Sequence, residues 1–161
     1  MKRIGSLFLL SLILIIINYF LQKIFFDFTS YLNLITILLI YLSLKKSLSN
    51  RVLLIFTFFM GIINDSLSFS PLGLSSASLL IMIFFTIKMR ENFVFTRIKD
   101  KALLGMGAVF FKSLMDILFS SFFEYKISIS YLNSLLIKPF ISFVILYFIF
   151  FFTSKEVEDD I

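Results

Sequence analysis

Six apolar runs, separated by short polar or charged segments, limit how this sequence can fold. They span residues 4–21, 28–44, 52–65, 72–87, 102–123 and 131–153. A helix of about 20 apolar residues can cross the hydrocarbon core of a bilayer. Water does not reach the backbone there, so a lipid-exposed run must satisfy its own N–H and C=O groups, as a helix does. The sequence therefore predicts an all-α, polytopic integral membrane protein with a bundle of six transmembrane helices.

The amino-acid composition excludes a soluble globular protein. The chain is 60% hydrophobic and only 16% charged, with a mean hydropathy of +1.03, which lies outside the range of soluble domains. Its 161 residues predict a single transmembrane domain, 1–161, with residues 154–161 as a short acidic cytoplasmic tail. The second, third and fourth runs are shorter than the others, and the third and fourth together allow one re-entrant hairpin as an alternative to two crossings.

The distribution of lysine and arginine predicts the orientation. Only Lys23 and Lys126 fall on one side of the predicted bundle, and Lys112 and Lys138 fall within runs. The positive-inside rule assigns the richer side to the cytoplasm, so we expect a multi-pass protein of the cytoplasmic (inner) membrane with both termini cytoplasmic. The net charge of +5 is then a topology signal and not a sign of nucleic-acid binding. The basic residues on the richer side are Lys2, Arg3, Lys45, Lys46, Arg51, Lys88, Arg90, Arg97, Lys99, Lys101 and Lys155.

Cysteine and histidine are both absent from the sequence. Their absence removes disulfides, thiol nucleophiles, histidine bases and the usual zinc ligands. We therefore expect a protein that is not an enzyme, with no catalytic residues, no cofactor and no metal.

Asp65, at the end of the third run, is the most conspicuous candidate site residue. Ionisable groups at membrane depth are costly and often functional. Gly61 lies four residues earlier on the same helix face, where it allows close approach of a neighbouring helix. A serine-rich turn then leads to Pro71, which suits the first turn of the next helix, and to Gly73. Two hypotheses remain open: Asp65 is a helix cap or packing residue, or these four residues form a partner-binding or assembly site.

Lys112 and Asp116 in the fifth run form a second candidate. Their i to i+4 spacing brings them together on one helix face, and an intramembrane ion pair is far less costly than two lone charges. The alternative is a proton or ion relay. Lys138 is expected either to extend toward the interface or to meet Asp65 or Asp116.

The segment Lys88–Lys101 mixes charged side chains with Phe93, Val94, Phe95 and Ile98. This pattern is typical of basic side chains beside anionic lipid, with phenylalanines entering the interface. A short interfacial helix or a loop that docks a partner is the alternative.

Gly61-x-x-x-Asp65, the serine-rich turn and Pro71-Leu72-Gly73 resemble the signature of the rod shape-determining protein MreD family. The resemblance implies a non-enzymatic membrane scaffold of the bacterial cell-elongation complex, which helps to control peptidoglycan synthesis and cell shape. It implies MreC as the direct partner, with MreB, RodA and a class B penicillin-binding protein in the same complex. From their placement on one helix face and its adjoining turn, we hypothesise that Gly61, Asp65, Pro71 and Gly73 shape the outer end of a helix hairpin on which MreC docks.

The predicted layout also resembles the S component of energy-coupling-factor transporters, the substrate-binding membrane subunit for vitamins. Such a subunit needs a polar pocket that opens to the outside. The sequence has no Trp and no His and few Asn or Gln in the outer halves of the runs. The transporter subunit is therefore the alternative function.

Overall fold

The computed structural model describes residues 2–24, 34–46, 48–68, 73–93, 95, 97–122 and 129–158. Over these ranges every regular element is an α-helix and there is no strand, so the predicted all-α class is confirmed. The helices are α1 (Lys2–Ile24), α2 (Leu34–Leu44), α3 (Asn50–Ser68), α4 (Leu74–Asn92), α5 (Ile98–Phe122) and α6 (Ile129–Glu158).

Within the part of the chain that the structure describes, three helices are long and apolar enough to cross a membrane, judged by length and composition. The qualifying segments are Asn50–Leu67 in α3, Ile98–Phe119 in α5 and Leu135–Thr153 in α6. A shorter apolar stretch, Leu34–Leu44, forms α2. Residues 28–33, which were predicted to begin that helix, lie outside the described residues. These apolar helices are compatible with an integral membrane protein.

Helices α3 and α4 are longer than the apolar runs that predicted them. Each has 19 residues. Helix α3 begins two residues earlier than its run, at Asn50, and ends three residues later, at Ser68, while α4 continues through a charged turn to Asn92. Hydropathy detects only the apolar part of a helix. Polar terminal turns keep helical geometry without an apolar signal.

The core lies where α4 packs against α2, α3 and α5, while α5 packs against α6. Ile40 of α2, Met60 of α3, Met82 of α4 and Leu146 of α6 are fully buried. Many large apolar side chains, such as Leu103, face outward. Lipid tails are as apolar as leucine, so an outward position costs such residues little in a bilayer, and helix association depends on close packing and hydrogen bonds.

Ring contacts define the directions of the helices. Phe8, near the start of α1, packs edge-to-face on Phe56, near the start of α3, with centroids 6.4 Å apart. Tyr41, near the end of α2, lies 5.4 Å from Phe150 in the last third of α6. The ammonium of Lys101, near the start of α5, lies 5.8 Å from the centroid of that same Phe150 ring. Arg90, at the end of α4, bonds to Ser43 at the end of α2 and to Asn50 at the start of α3. Together these contacts show that successive helices alternate in direction. We call the shared end the basic end, after Lys45, Lys46, Arg90 and Lys101.

Candidate functional site

Asp65 lies in the last turns of α3 and is fully buried. Its two carboxylate oxygens accept backbone N–H groups from the start of α4: Oδ2 from Gly73 at 2.8 Å and Oδ1 from Ser75 at 3.0 Å. The first N–H groups of a helix have no partner within the helix, and a negative charge is favourable beside them. Asp65 therefore caps α4 across the turn, from the neighbouring helix.

Gly73 has the backbone geometry that this cap requires. Its φ is +97°, in the left-handed region, and its own N–H donates to Asp65. Glycine adopts this conformation without the steric cost that a Cβ atom imposes. The residue therefore turns the chain into α4 while presenting its amide to the carboxylate.

At Gly61 the backbones of α3 and α4 approach each other closely. A Cβ atom added there would lie 2.4 Å from the Cα of Ser76. Two side-chain hydrogen bonds flank the contact: Ser76 Oγ donates to the Phe58 carbonyl at 3.3 Å, and Asn64 Nδ2 donates to Ser75 Oγ at 3.1 Å. The small residue allows the two backbones to approach closely enough for these bonds.

The structure thus brings Gly61, Asp65 and Gly73 together, and we call this end of the α3–α4 pair the hairpin end. Pro71 lies outside the described residues. Ser66 is exposed, and its hydroxyl donates to the Ile62 carbonyl within α3. The geometry matches the hypothesis of a buried helix cap, because the Asp65 carboxylate is enclosed by the helices that it joins.

Lys112 and Asp116 lie together on α5, as their spacing predicts. Lys112 Nζ donates to Asp116 Oδ2 at 2.6 Å, and Lys112 is only 9% exposed. Lys138 of α6 is close enough to both to interact with them electrostatically. Asp65 and Asp116 were the two carboxylates proposed as partners of Lys138, and Asp116 is the one that interacts with it here. Two cations and one carboxylate therefore meet where α5 packs on α6.

A polar cluster that was not predicted from the sequence lies at the basic end. The Arg90 guanidinium at the end of α4 donates through Nη1 to the Ser43 carbonyl in the last turn of α2. Its Nη2 donates to Asn50 Oδ1 at the start of α3, at 2.8 Å. Asn50 Nδ2 donates in turn to Glu91 Oε1 at 3.1 Å, and Glu91 pairs with Lys88 at 3.7 Å. The only indication in the sequence was that the end of α2, the start of α3 and the end of α4 were predicted to lie on the same side of the membrane.

The acidic residues of the described ranges are dispersed. Nowhere in these ranges do three or more Asp or Glu side chains gather closely enough to hold a metal ion. The buried charges that the structure describes instead meet backbone amides, as at Asp65, or charged side chains, as at Lys112.

Comparison with known proteins identifies no relative of this chain. Searches against protein-family models, curated proteins and solved structures found no match.

Proposed function

We propose that this protein is a non-enzymatic, six-span membrane scaffold, of the kind implied by its resemblance to the MreD family. In this proposal it binds MreC and acts in the cell-elongation complex with MreB, RodA and a class B penicillin-binding protein. The observation that carries the proposal is the hairpin end. Its most conspicuous charged residue, Asp65, accepts the two backbone amides that hold the start of α4 against α3.

The chemistry of the hairpin end supports a shape-forming role. A carboxylate that serves as a catalytic base or an ion ligand must be reachable by its substrate, whereas Asp65 is fully enclosed. The motif residues instead set the separation and the turn geometry of two helices. A fixed hairpin end is what a partner helix requires for selective docking, because a preformed surface lowers the ordering cost of binding.

The outer face of α3 is a suitable docking surface for a transmembrane segment of MreC. Ile55 and Phe59 are four residues apart and so share a helix face. They are 59% and 53% exposed. Large aromatic and aliphatic side chains on one exposed face provide the packing on which helix association in lipid depends.

The lengths of α3 and α4 favour two crossings by this pair over a re-entrant hairpin. At 1.5 Å per residue, a 19-residue helix such as α3 or α4 is about 28 Å long, close to the roughly 30 Å of the hydrocarbon core. Together with the positive-inside rule, this length supports the orientation with both termini in the cytoplasm and the hairpin end outside.

The proposal is tested by purifying the tagged protein from its native membrane in mild detergent and identifying the co-purifying proteins by mass spectrometry. We expect MreC, with RodA or the penicillin-binding protein. Recovery of paired ATPases with a transmembrane coupling subunit would overturn the proposal in favour of the transporter alternative.

Two variants then test the hairpin end. Asp65→Ala removes the cap and is expected to lose MreC and rod shape. Ser66→Ala, the matched control, alters an exposed neighbour that bonds only within α3 and is expected to keep both. MreC recovery with Asp65→Ala equal to that with Ser66→Ala, at equal membrane abundance, would refute a docking role for this end.

A further inference from the structure

A cavity of about 680 Å³ lies at the basic end, apart from the hairpin end and the α5 ion pair. It is formed where α2 ends, α4 ends and α5 begins. Its volume is within the range of small-molecule sites, about 300–1,000 Å³. The lining residues are Leu44, Lys46, Arg90, Glu91, Phe93, Phe95 and Lys101.

The cavity carries an excess of positive charge. Three of its lining residues are cations and one is an anion. That anion, Glu91, is already engaged, since its carboxylate accepts a hydrogen bond from Asn50 and pairs with Lys88. The field inside the cavity is therefore set by Lys46, Arg90 and Lys101, and it favours an anionic ligand.

The cations of the cavity still have N–H groups that can donate hydrogen bonds to a ligand. Arg90 has five N–H groups, of which two make hydrogen bonds, and its buried Nε has no partner among the residues that the structure describes. Lys101 contacts the face of the Phe150 ring. Lys46 is exposed, and it follows α2 with a left-handed φ of +52° that ends the helix at the cavity. The two lysines thus bring mobile ammonium groups to a fixed guanidinium.

Two phenylalanines distinguish this cavity from a site for a bare ion. Phe93 is 57% exposed, and its ring lies 6.2 Å from that of Phe95. Phe93 follows α4 in an extended conformation. A ligand that carries both an anionic group and an apolar chain would fit a cavity lined by these two rings. Inorganic phosphate would leave most of the cavity volume unfilled.

We infer that this cavity binds the phosphodiester headgroup of an anionic phospholipid, with Lys46, Arg90 and Lys101 contacting the phosphate and Phe93 packing against the start of the acyl chains. Basic pockets between the ends of membrane helices suit such headgroups. This inference does not depend on the proposed scaffold function. It predicts a structural lipid that joins α2, α4 and α5 at one point.

The test uses the full-length protein in dodecyl maltoside micelles. Phosphatidylglycerol, phosphatidylcholine and inorganic phosphate are titrated separately while the melting temperature is recorded, because a ligand of the folded state raises that temperature. We expect phosphatidylglycerol to raise it at concentrations where the other two have no effect. An equal rise with phosphate would mean a free-anion site, and an equal rise with phosphatidylcholine would mean unspecific lipid solvation. Each result would overturn the inference.

Two double variants with the same loss of charge separate the cavity from the general basic surface. Lys46→Gln with Lys101→Gln removes two cavity cations, and Arg51→Gln with Lys99→Gln removes two exposed cations outside it. Removing one basic group near an anionic lipid lowers the affinity about fivefold. The first pair should therefore weaken phosphatidylglycerol binding about 30-fold, and the second pair less than threefold. Equal weakening by both pairs would refute a built site.

The single variant Lys46→Gln is a control for misfolding, because this exposed side chain makes no contact with a helix among the described residues. It should bind phosphatidylglycerol about fivefold more weakly at unchanged helical content, and unchanged affinity would contradict the inference. A glutamate-rich peptide that competes with phosphatidylglycerol at equal concentration would instead assign the cavity to an acidic protein segment.

Discussion

The contact between Gly61 and Ser76 makes the close packing of α3 on α4 quantitatively testable. In Gly61→Ala the new Cβ would lie 2.4 Å from Ser76 Cα and 2.8 Å from its backbone nitrogen. Carbon atoms in favourable contact are about 3.5 Å or more apart, so the helices would have to separate by about 1 Å. Two of the three nearest atoms belong to the Ser76 backbone, so a rotamer change that moves the Ser76 Oγ, at 2.5 Å, does not remove the clash.

The cost follows from two opposing terms. Overpacking costs about 1–3 kcal/mol, and replacing glycine by alanine within a helix contributes about 1 kcal/mol in the other direction. Gly107→Ala is the matched control, because Gly107 is also helical and its added Cβ would meet nothing within 4 Å. Both variants share the gain in helix propensity. The difference between their free energies of unfolding therefore isolates the contact, at about 1–3 kcal/mol.

The assay is titration of each purified variant from dodecyl maltoside into SDS, with loss of helical circular dichroism as the signal. We expect Gly61→Ala to unfold at lower SDS than Gly107→Ala. Identical transitions for the two variants would refute the close approach of α3 and α4 at this position.

Three further contacts can be tested, two of them by the same SDS titration and one by membrane abundance. Asp65→Ala should destabilise the protein by about 2–4 kcal/mol, because two buried amides lose a charged acceptor, and Asp65→Asn by less; equal losses would contradict the two-oxygen cap. Asp116→Ala should lower membrane abundance more than Asp116→Ala combined with Lys112→Ala, since the single change leaves the Lys112 and Lys138 cations without the carboxylate that they share; equal abundance on immunoblots would reject the pairing. Arg90→Lys should lower the free energy of unfolding by about 1–2 kcal/mol, because an ammonium cannot donate to α2 and α3 at once as the planar guanidinium does. A loss no greater than that caused by Arg97→Lys, at an exposed position, would argue against this contact.

Local spacing predicted the contacts that lie within one helix or across one turn. The i to i+4 rule anticipated that Lys112 and Asp116 would meet, and a glycine four residues before Asp65 indicated a close helix approach. The cap hypothesis for Asp65 was also available from its position at a helix end. Its donors, Gly73 and Ser75, are only eight and ten residues away along the chain.

Contacts between distant helices could not be predicted in this way. Arg90 lies 47 residues from Ser43 and 40 from Asn50, and no periodicity in one segment specifies which other segment it will touch. Hydropathy likewise indicated apolar lengths but not the polar terminal turns of α3 and α4. Those turns carry Asn50 and Arg90, so the same omission concealed the polar cluster at the basic end.

Helix α4 is fastened to α3 at both of its ends. At the hairpin end Asp65 holds the Gly73 and Ser75 amides, and at the basic end Asn50 bonds with both Arg90 and Glu91. Sliding one helix past the other by a single turn, about 5.4 Å, would break all of these hydrogen bonds together. We therefore expect the antiparallel pair to move as one rigid body, so that a displacement of the hairpin end also displaces the basic end.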